Sequence, residues 1–590
     1  MKRRKKKKPQ ITQITRDFKK EVFVVAGLLL LAFIFRLVYL SHLKVNDPNF
    51  YQPAPGTDML TYHNYAQQIV NGTFGKEPYY YGPLYYYFLA IIYKIFGVDP
   101  YIARLIQMIL GVFTSLLIYL IAKKVFNKPV ALISLIISIF YGMFYIHEGV
   151  LLIEPLATFL NTISIFLLLR IEDKPSYKNI AFAGIAIGLS ALARANILLF
   201  VPFLLLWFLK IANLKSKIKN LKRFAFLCLI IGITISPATI RNYIVSGEFV
   251  PISTNGPIIF WIGNYPGASG EYVSLTPEPK IGYMEDIVNF IRENPKGYLE
   301  LLAKKFLLFW CEYEIVNNVN HELAKSYSSL FKFGHLSFDL VATLALIGIG
   351  LSLRLWRRCL LLYLIIFSLV ASYVITHITA RYRLSVLPFL IIFASFSLYW
   401  WFKKIKEKRV GFLFLSIFLL PPSWALIYNN TLYTFLHPEG RQIQSGKTTT
   451  VSDYSERMWH GEKKTISSSC DKLKKELVLP DGYEKSKEVL LWFQFTTGPN
   501  HGVISVTVND GKEIIVQPPP FNEGFPGHAS LHFKPDSFRK GINTIIFNAP
   551  NAADVNLCVD QFYTFKRSYF LSKQGRWEIK ERRVYCSSCV

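Results

Sequence analysis

The sequence predicts a polytopic α-helical membrane protein of about eleven spans that is followed by a β-rich domain, and three observations support this fold class. The 590 residues are 52% hydrophobic, and the apolar residues come in long blocks rather than in short amphipathic periods. Basic residues cluster at alternate ends of these blocks, as the positive-inside rule predicts. Beyond residue 429 the composition becomes polar and rich in turns.

The positive charge of the chain is explained by its predicted membrane topology. The formal net charge is +28, but the basic residues lie beside apolar blocks, so we expect no nucleic-acid partner. Residues 1–20 form a basic tail, and the apolar run that follows is too long for a signal-peptide core. We therefore expect a retained first span with the N-terminus in the cytoplasm.

The region 21–428 carries the predicted spans, each about 17 to 25 residues long where the apolar run allows it. The spans are predicted near 21–40, 101–122, 130–147, 151–170, 179–194, 197–210, 224–242, 335–353, 359–377, 384–402 and 410–428. Alternating orientation puts every strongly basic short loop in the cytoplasm, and an odd number of spans places the C-terminal region outside.

Two long loops then face the outside, at about 41–100 and 243–334. Each contains a short apolar segment, 84–96 in the first and 298–310 in the second, that we expect to form a helix at the membrane interface.

The C-terminal region, 429–590, is expected to form an extracytoplasmic β-sandwich of modest size. Its short strand patterns are 489–495, 503–508, 513–516 and 544–547, and Asp510-Gly511 is a hairpin signal between two of them. Its aromatic residues either bind carbohydrate or fill the core, and the sequence leaves both interpretations open.

Two acidic residues are the first candidates for chemistry. Thr57 and Asp58 precede a helical pattern over 59–70, so either of them is a candidate helix cap. Asp58 is also a candidate general base that faces the membrane, and the two roles do not exclude each other. Glu154 lies at the outer end of an apolar run, where a carboxylate is costly unless it is paired or lines a wet cavity. The neighbouring His147 and Glu148 are interpreted as solvated side chains.

Four arginines are the matching cations, and all of them lie at predicted outer ends of spans: Arg194, Arg241, Arg381 and Arg383. Arginine on the outer side runs against the usual charge bias and requires an anionic partner. Arginine suits bidentate phosphate binding, although structural pairs with Asp58, Glu148 or Glu154 are the alternative. Together these charges predict a site for an anionic lipid headgroup.

Several short motifs occur in a characteristic order along residues 20–430. They are Gly56-Thr57-Asp58, Gly82-Pro83-Leu84-Tyr85, Phe96-Gly97, Glu154-Pro155, Leu192-Ala193-Arg194-Ala195-Asn196, Arg241-Asn242 and Arg381-Tyr382-Arg383. This order resembles the bacterial GT-C membrane glycosyltransferases, in particular the superfamily of dolichyl-phosphate-mannose-protein mannosyltransferases and aminoarabinose transferases. One departure is Tyr81-Gly82-Pro83, where the aminoarabinose branch has a Glu-Lys pair before the proline.

The resemblance implies a GT-C-like fold in the bacterial plasma (inner) membrane and a sugar transfer at its outer face. The donor would be a polyprenyl-phosphate-linked sugar, and the acceptor a glycan, a lipid or a protein. Asp58 would be the general base and Glu154 a second acid of the cavity. The four arginines and Tyr62 would hold the donor phosphate and substrate. A single displacement inverts the anomeric centre. No Asp-x-Asp pair lies near Asp58, so no metal cofactor is expected.

Two other functions fit parts of the sequence. A transporter or flippase of lipid-linked oligosaccharides also has many helices with intramembrane charge, but such proteins usually show repeated halves and broken helices at the membrane midplane. A membrane-anchored sugar-binding protein would use the C-terminal domain, and it would leave the charges of the first outer loop unexplained.

Overall fold

The computed structural model describes residues 7–47, 49–53, 57–210, 217–265, 268, 270–271, 283–312, 314–315, 317–319, 321–333, 335–408 and 427, and the strands between 462 and 579 with some adjoining residues. In chain order the helices are α1 (Lys7–Asn46), α2 (Asp58–Val70), α3 (Leu84–Phe96), α4 (Pro100–Val125), α5 (Lys128–Phe140), α6 (Gly142–Glu148), α7 (Glu154–Asp173), α8 (Tyr177–Ala193), α9 (Phe200–Lys210), α10 (Lys217–Ser246), α11 (Gly256–Ile262), α12 (Tyr283–Glu293), α13 (Pro295–Trp310), α14 (His321–Ser326), α15 (Phe338–Ser352), α16 (Trp356–Ile375), α17 (Ala380–Arg383) and α18 (Leu387–Lys406).

Several of these helices can cross a membrane, as the apolar blocks predicted. Within the described residues, five helical segments are long and apolar enough: Lys19–Asn46, Pro100–Val125, Glu154–Asp173, Lys217–Ser246 and Phe338–Ile375. The chain is thus a multi-pass membrane protein. The count of eleven spans and the orientation stay predictions, and most of the predicted span 410–428 lies outside the described residues.

The prediction of one continuous span over 130–147 is wrong. Helix α5 ends at Phe140, because Tyr141 takes an extended conformation with φ −83° and ψ 99°, and the separate short helix α6 follows. All residues of α6 are buried, so this short helix packs inside the helical region.

The two predicted interfacial segments do form helices. Helix α3 covers Leu84–Phe96 and ends at Gly97, whose φ of 82° an L side chain rarely adopts. Helix α13 begins at Pro295 with the side chain of Asn294 as its cap, three residues before the predicted start. Their placement at the membrane interface stays a prediction.

Helices α8 and α10 pack through small residues. Gly184 and Gly188 are four residues apart on one face of α8, and a Cβ at either would meet Ile230 or Thr234 of α10, with the nearest atoms at 2.9 and 2.5 Å. Small residues at this spacing let two membrane helices approach closely, where dispersion contacts replace the hydrophobic effect. The packed pair fixes the end of α8, which is where Arg194 lies.

The chain divides into two compact units, one of 1–273 with 282–429 and the other of 274–281 with 430–590. Ten strands are described in the second unit, and the count applies only to its described residues: β1 (Glu462–Ser467), β2 (Lys472–Val478), β3 (Val489–Thr497), β4 (Ile504–Val508), β5 (Ile514–Val516), β6 (Gly527–Phe533), β7 (Ile542–Asn548), β8 (Asp554–Val559), β9 (Phe565–Leu571) and β10 (Trp577–Ile579). They form a four-stranded sheet in the order β1-β8-β3-β6 and a six-stranded sheet in the order β10-β9-β2-β7-β4-β5.

The strand predictions for this unit are confirmed at β3, β4, β5 and β7. The hairpin of β4 and β5 is antiparallel, with Ile504 opposite Val516. Asp510 of the predicted hairpin signal lies outside the described residues, and Asn509 beside it takes a φ of 52°. Whether the two sheets pack as a sandwich stays a prediction.

Candidate active site

Asp58 lies at the start of helix α2, which the sequence predicted. The side chain of Thr57 accepts a hydrogen bond from the backbone N–H of Leu60 and so caps the helix. Asp58 is therefore the first helical residue rather than the cap, and its negative charge is favourable next to the unpaired N–H groups there. Because the helix fixes its backbone, the Asp58 carboxylate has a defined direction.

Three donors surround the Asp58 carboxylate. Tyr81 donates its hydroxyl to Oδ1 over 3.0 Å, and Asn318 Nδ2 and Arg381 Nη1 donate to Oδ2 over 2.8 and 2.9 Å. Asn318 Oδ1 also accepts a hydrogen bond from the backbone N–H of Asp58 over 2.9 Å. The backbone of Asn318 has a φ of 60°. A carboxylate accepts about four hydrogen bonds, so about one direction remains for a further group.

Glu154 is held by helix α4, one face of which carries polar groups at intervals of three and four residues. Arg104 Nε donates to the carbonyl of Gly149 over 2.7 Å, and Gln107 Nε2 donates to the carbonyls of Glu148 and Val150 over 2.9 and 2.7 Å. These bonds fix the turn that leads into α7. Glu154 then begins that helix, where a carboxylate is favoured by the helix dipole.

Arg381 joins the two acids. Its Nη1 lies 2.9 Å from Asp58 Oδ2 and 3.6 Å from Glu154 Oε1. Arg194, which ends helix α8, donates its Nη2 to the same Glu154 oxygen over 2.6 Å. The structure thus brings Asp58, Glu154, Arg194 and Arg381 together, as the sequence predicted, in the paired arrangement that was the alternative to phosphate binding.

Aromatic rings line this charge cluster. The guanidinium carbons of Arg194 and Arg381 lie 4.6 and 5.5 Å from the ring centre of Tyr382, within the range of cation–π attraction. Tyr62 is buried, and its ring centre is 5.2 Å from that of Tyr81. Tyr62 therefore supports the tyrosine that donates to Asp58, and its predicted contact with substrate stays a prediction.

Gly82 explains the departure from the Glu-Lys pair. A Cβ at this position would lie 2.6 Å from the carbonyl oxygen of Leu192 near the end of α8, so a longer side chain does not fit in this conformation. The close approach brings the Tyr81 loop against the helix end that carries Arg194.

The other two predicted arginines have different partners. Arg241 donates to the carbonyls of Glu77 and Gly75 over 3.0 and 2.9 Å, and it makes no ion pair with a described residue. Arg383 is buried, where it pairs with Glu314 at 3.3 Å and donates to the carbonyl of Leu308 over 3.0 Å. Both arginines therefore brace loops in this structure, and a role in phosphate binding stays a prediction for each.

The interpretation of His147 and Glu148 as solvated side chains is wrong. They are only 1% and 4% exposed. Glu148 forms a bidentate pair with Arg36 of α1, with distances of 2.7 and 2.9 Å, and lies directly against Gly111. Arg36, a lone charge inside the first apolar block, was the signal that could have indicated this pair.

Sequence reasoning also missed Asn318, because nothing near it in sequence marks it as a partner of Asp58. Arg104 and Gln107 could have been found from their spacing of three residues inside an apolar helix.

Asp58 has a side-chain exposure of 20%, against 9% for Arg381 and 1% for Glu154. The cluster therefore offers one reachable carboxylate backed by two arginines, which suits proton abstraction beside a bound anion.

Comparisons with known proteins identify similar sequences and folds. Residues 76–240 match the family model of dolichyl-phosphate-mannose-protein mannosyltransferases, a region that includes Glu154 and Arg194. An uncharacterized protein of Aquifex aeolicus is 26% identical over 209 residues, which cover 35% of this chain. The match spans 40% of the length of that relative.

Two solved structures are similar at low identity. The oligosaccharyltransferase of Archaeoglobus fulgidus, solved with a tethered acceptor peptide, is 15% identical with a TM-score of 0.39, over 68% of this chain and 55% of its own. ArnT from Cupriavidus metallidurans, bound to undecaprenyl phosphate, is 13% identical with a TM-score of 0.40, over 66% and 63%. The family match over residues 76–240 confirms the resemblance to the GT-C superfamily of membrane glycosyltransferases that the motifs indicated.

Proposed function

We propose that the protein transfers a sugar from a polyprenyl-phosphate-linked donor to an extracytoplasmic glycan, lipid or protein acceptor at the outer face of the bacterial inner membrane. The observation that carries the proposal is the connected series Asp58, Arg381, Glu154 and Arg194, in which each neighbour is ion-paired with the next. The family match to enzymes named for a dolichyl-phosphate-mannose donor supports the same class of reaction.

Asp58 is proposed as the general base. It is the most exposed acid of the cluster, and its three donors leave about one hydrogen-bonding direction for the acceptor hydroxyl or amine. Asp58 takes the acceptor proton as the acceptor attacks the anomeric carbon, and the bond from that carbon to the phosphate oxygen breaks. This single displacement inverts the anomeric centre.

Arg194 is proposed to stabilise the phosphate leaving group. Its side chain is 19% exposed, about twice the 9% of Arg381, and it ends a helix next to the site. Glu154 is 1% exposed and orients Arg194, which makes it a positioning residue rather than a second base. The proposed mechanism uses no metal, because Arg194 donates hydrogen bonds to the departing phosphate from a position that Glu154 fixes.

The test is turnover by the full chain in lipid vesicles that contain polyprenyl-phosphate-linked sugars, with the products identified by mass spectrometry. We expect sugar to be cleaved from the lipid and transferred with inversion. Arg194→Gln should lower kcat/KM for the donor by about tenfold, whereas the matched variant Arg241→Gln should change it less, because Arg241 is bonded to carbonyl groups. A donor that crosses the bilayer uncleaved would contradict the proposal and support the transporter.

A further inference from the structure

A small cavity is lined in part by Glu154, whose Oε1 pairs with Arg194 and whose Oε2 has no partner among the described residues. Helix α4 contributes Gly111 to its wall, α6 contributes Phe144 and His147, and α7 contributes Glu154 and Thr158. The neighbouring turn of Leu384 closes it. The proposed mechanism makes no use of this space.

Three polar atoms of this cavity lack a hydrogen-bond partner among the described residues. They are Glu154 Oε2, His147 Nδ1 and Thr158 Oγ1. Their residues are 1%, 1% and 4% exposed, so bulk water does not reach them freely. A buried polar atom without a partner is destabilising, and three such atoms on residues that line one cavity indicate a ligand that satisfies them together.

The charges around the cavity select a neutral ligand. Among the described residues, ion pairs lie beside the cavity, including Arg36–Glu148, Arg194–Glu154 and Arg381–Asp58. The acids are therefore neutralised by the protein, and a cation finds no surplus negative charge. An anion would meet the carboxylate of Glu154 directly.

The atom types then select a hydroxyl group. Glu154 Oε2 needs a donor, and Thr158 Oγ1 can donate to or accept from the same group. His147 Nε2 lies 3.2 Å from His321 Nε2, and Nδ1 is the ring nitrogen of His147 that has no partner among the described residues. One O–H can donate to Glu154 while its oxygen accepts from Thr158 or His147, and the cavity has room for about one group of that size.

We infer that the space between Glu154, His147 and Thr158 is a binding site for a single hydroxyl group. Its source is either a bound water molecule or a hydroxyl of the sugar substrate, and the second source rests on the proposed function. A hydroxyl group in this site would hold Glu154 through Oε2, the oxygen that Arg194 does not contact, and so fix the position of that arginine.

The first experiment is a cryo-EM structure of the full chain in nanodiscs without added lipid donor, at a resolution that shows ordered water. A density peak at about 2.6 to 3.2 Å from Glu154 Oε2 and from Thr158 Oγ1 or His147 Nδ1 supports the site and assigns water as its source. The peak should be lost in Thr158→Val, which has the same shape without the hydroxyl, and kept in Thr158→Ser. This arm needs no donor, so its result stands if the proposed function fails.

The second experiment adds a polyprenyl-phosphate sugar that the protein turns over. A peak that appears only with this donor and is continuous with the sugar assigns the hydroxyl to the substrate. Thr158→Val should then raise the donor KM by about tenfold, and Thr158→Ser by about twofold or less. The inference is overturned by density at metal-ligand distances of about 2.0 to 2.5 Å. It is also overturned if neither structure shows a peak.

Discussion

Replacing Asn318 tests how the site holds its reactive carboxylate. The side chain makes two bonds to Asp58, from Nδ2 to Oδ2 over 2.8 Å and from the Asp58 N–H to Oδ1 over 2.9 Å. The first is charge-assisted and worth about 1.5 to 3 kcal/mol, and the second about 0.5 to 1.5 kcal/mol. Water replaces part of this stabilisation because Asp58 is 20% exposed. We therefore expect removal of the two hydrogen bonds to cost about 2 kcal/mol, near the lower end of their summed energies.

Two variants of Asn318 separate the loss of its hydrogen bonds from the cost of backbone strain. Its φ of 60° is strained for most residues but not for glycine. Asn318→Gly therefore removes the two bonds to Asp58, together with the bond to Asn317, without adding backbone strain. We expect turnover to fall about thirtyfold as the carboxylate loses its fixed direction. Asn318→Ala removes the same bonds and adds about 1 kcal/mol of backbone strain, so its unfolding midpoint should be the lower of the two.

The assays are turnover in vesicles and the thermal unfolding midpoint of the purified chain. Asn317→Ala is the matched control, because Asn317 accepts a hydrogen bond from Asn318 and so lies one contact away from the carboxylate. Asn318→Asp adds a second carboxylate beside the first, so the acidic limb of the pH–rate profile should move to higher pH. Unchanged turnover in Asn318→Gly would refute the assignment of Asn318 as a positioning residue.

Three further changes test the structure itself through the thermal unfolding midpoint. Thr57→Ala should lower the stability by about 1 kcal/mol and Thr57→Gly by a few tenths, and equal effects would contradict the helix cap. Glu148→Gln leaves the Arg36 charge buried and unpaired, so we expect the free energy of unfolding to fall by about 3 kcal/mol or more. Most of this stability should return when Arg36→Leu is added, and no recovery would contradict the ion pair. Burial lowers the pKa of Lys305 from 10.5 to about 7. Between about pH 7 and pH 10 the folded chain has released this proton and the unfolded chain has not, so stability should rise with pH over this range. A rise that persists in Lys305→Met would have another cause.

The sequence predicted most of the helical region because its signals are local. The Thr57 cap and Gly97 mark helix ends within a few residues, and apolar length identifies the long helices without knowledge of the fold. The break after Phe140 was missed because the apolar pattern continues through Tyr141 into α6.

The candidate site was predicted in part for the same reason. Asp58, Glu154, Arg194 and Arg381 stand out as charges beside apolar runs, and the structure brings all four together. Asn318 is neutral and 260 residues away from its partner in sequence, so no local pattern could connect it with Asp58. Arg241 carries the same type of signal as Arg194, but its partners are backbone carbonyls, which composition does not reveal.

The most direct test of the central claim is sugar transfer by Asp58→Asn, measured in vesicles with a polyprenyl-phosphate-linked donor. The amide keeps the size of the side chain but cannot accept the acceptor proton as a base. Asp58→Asn that folds normally, with an unfolding midpoint close to that of the natural chain, should lose turnover by about a hundredfold or more. Transfer at a rate within about tenfold of the unaltered protein would contradict the assignment of Asp58 as the general base.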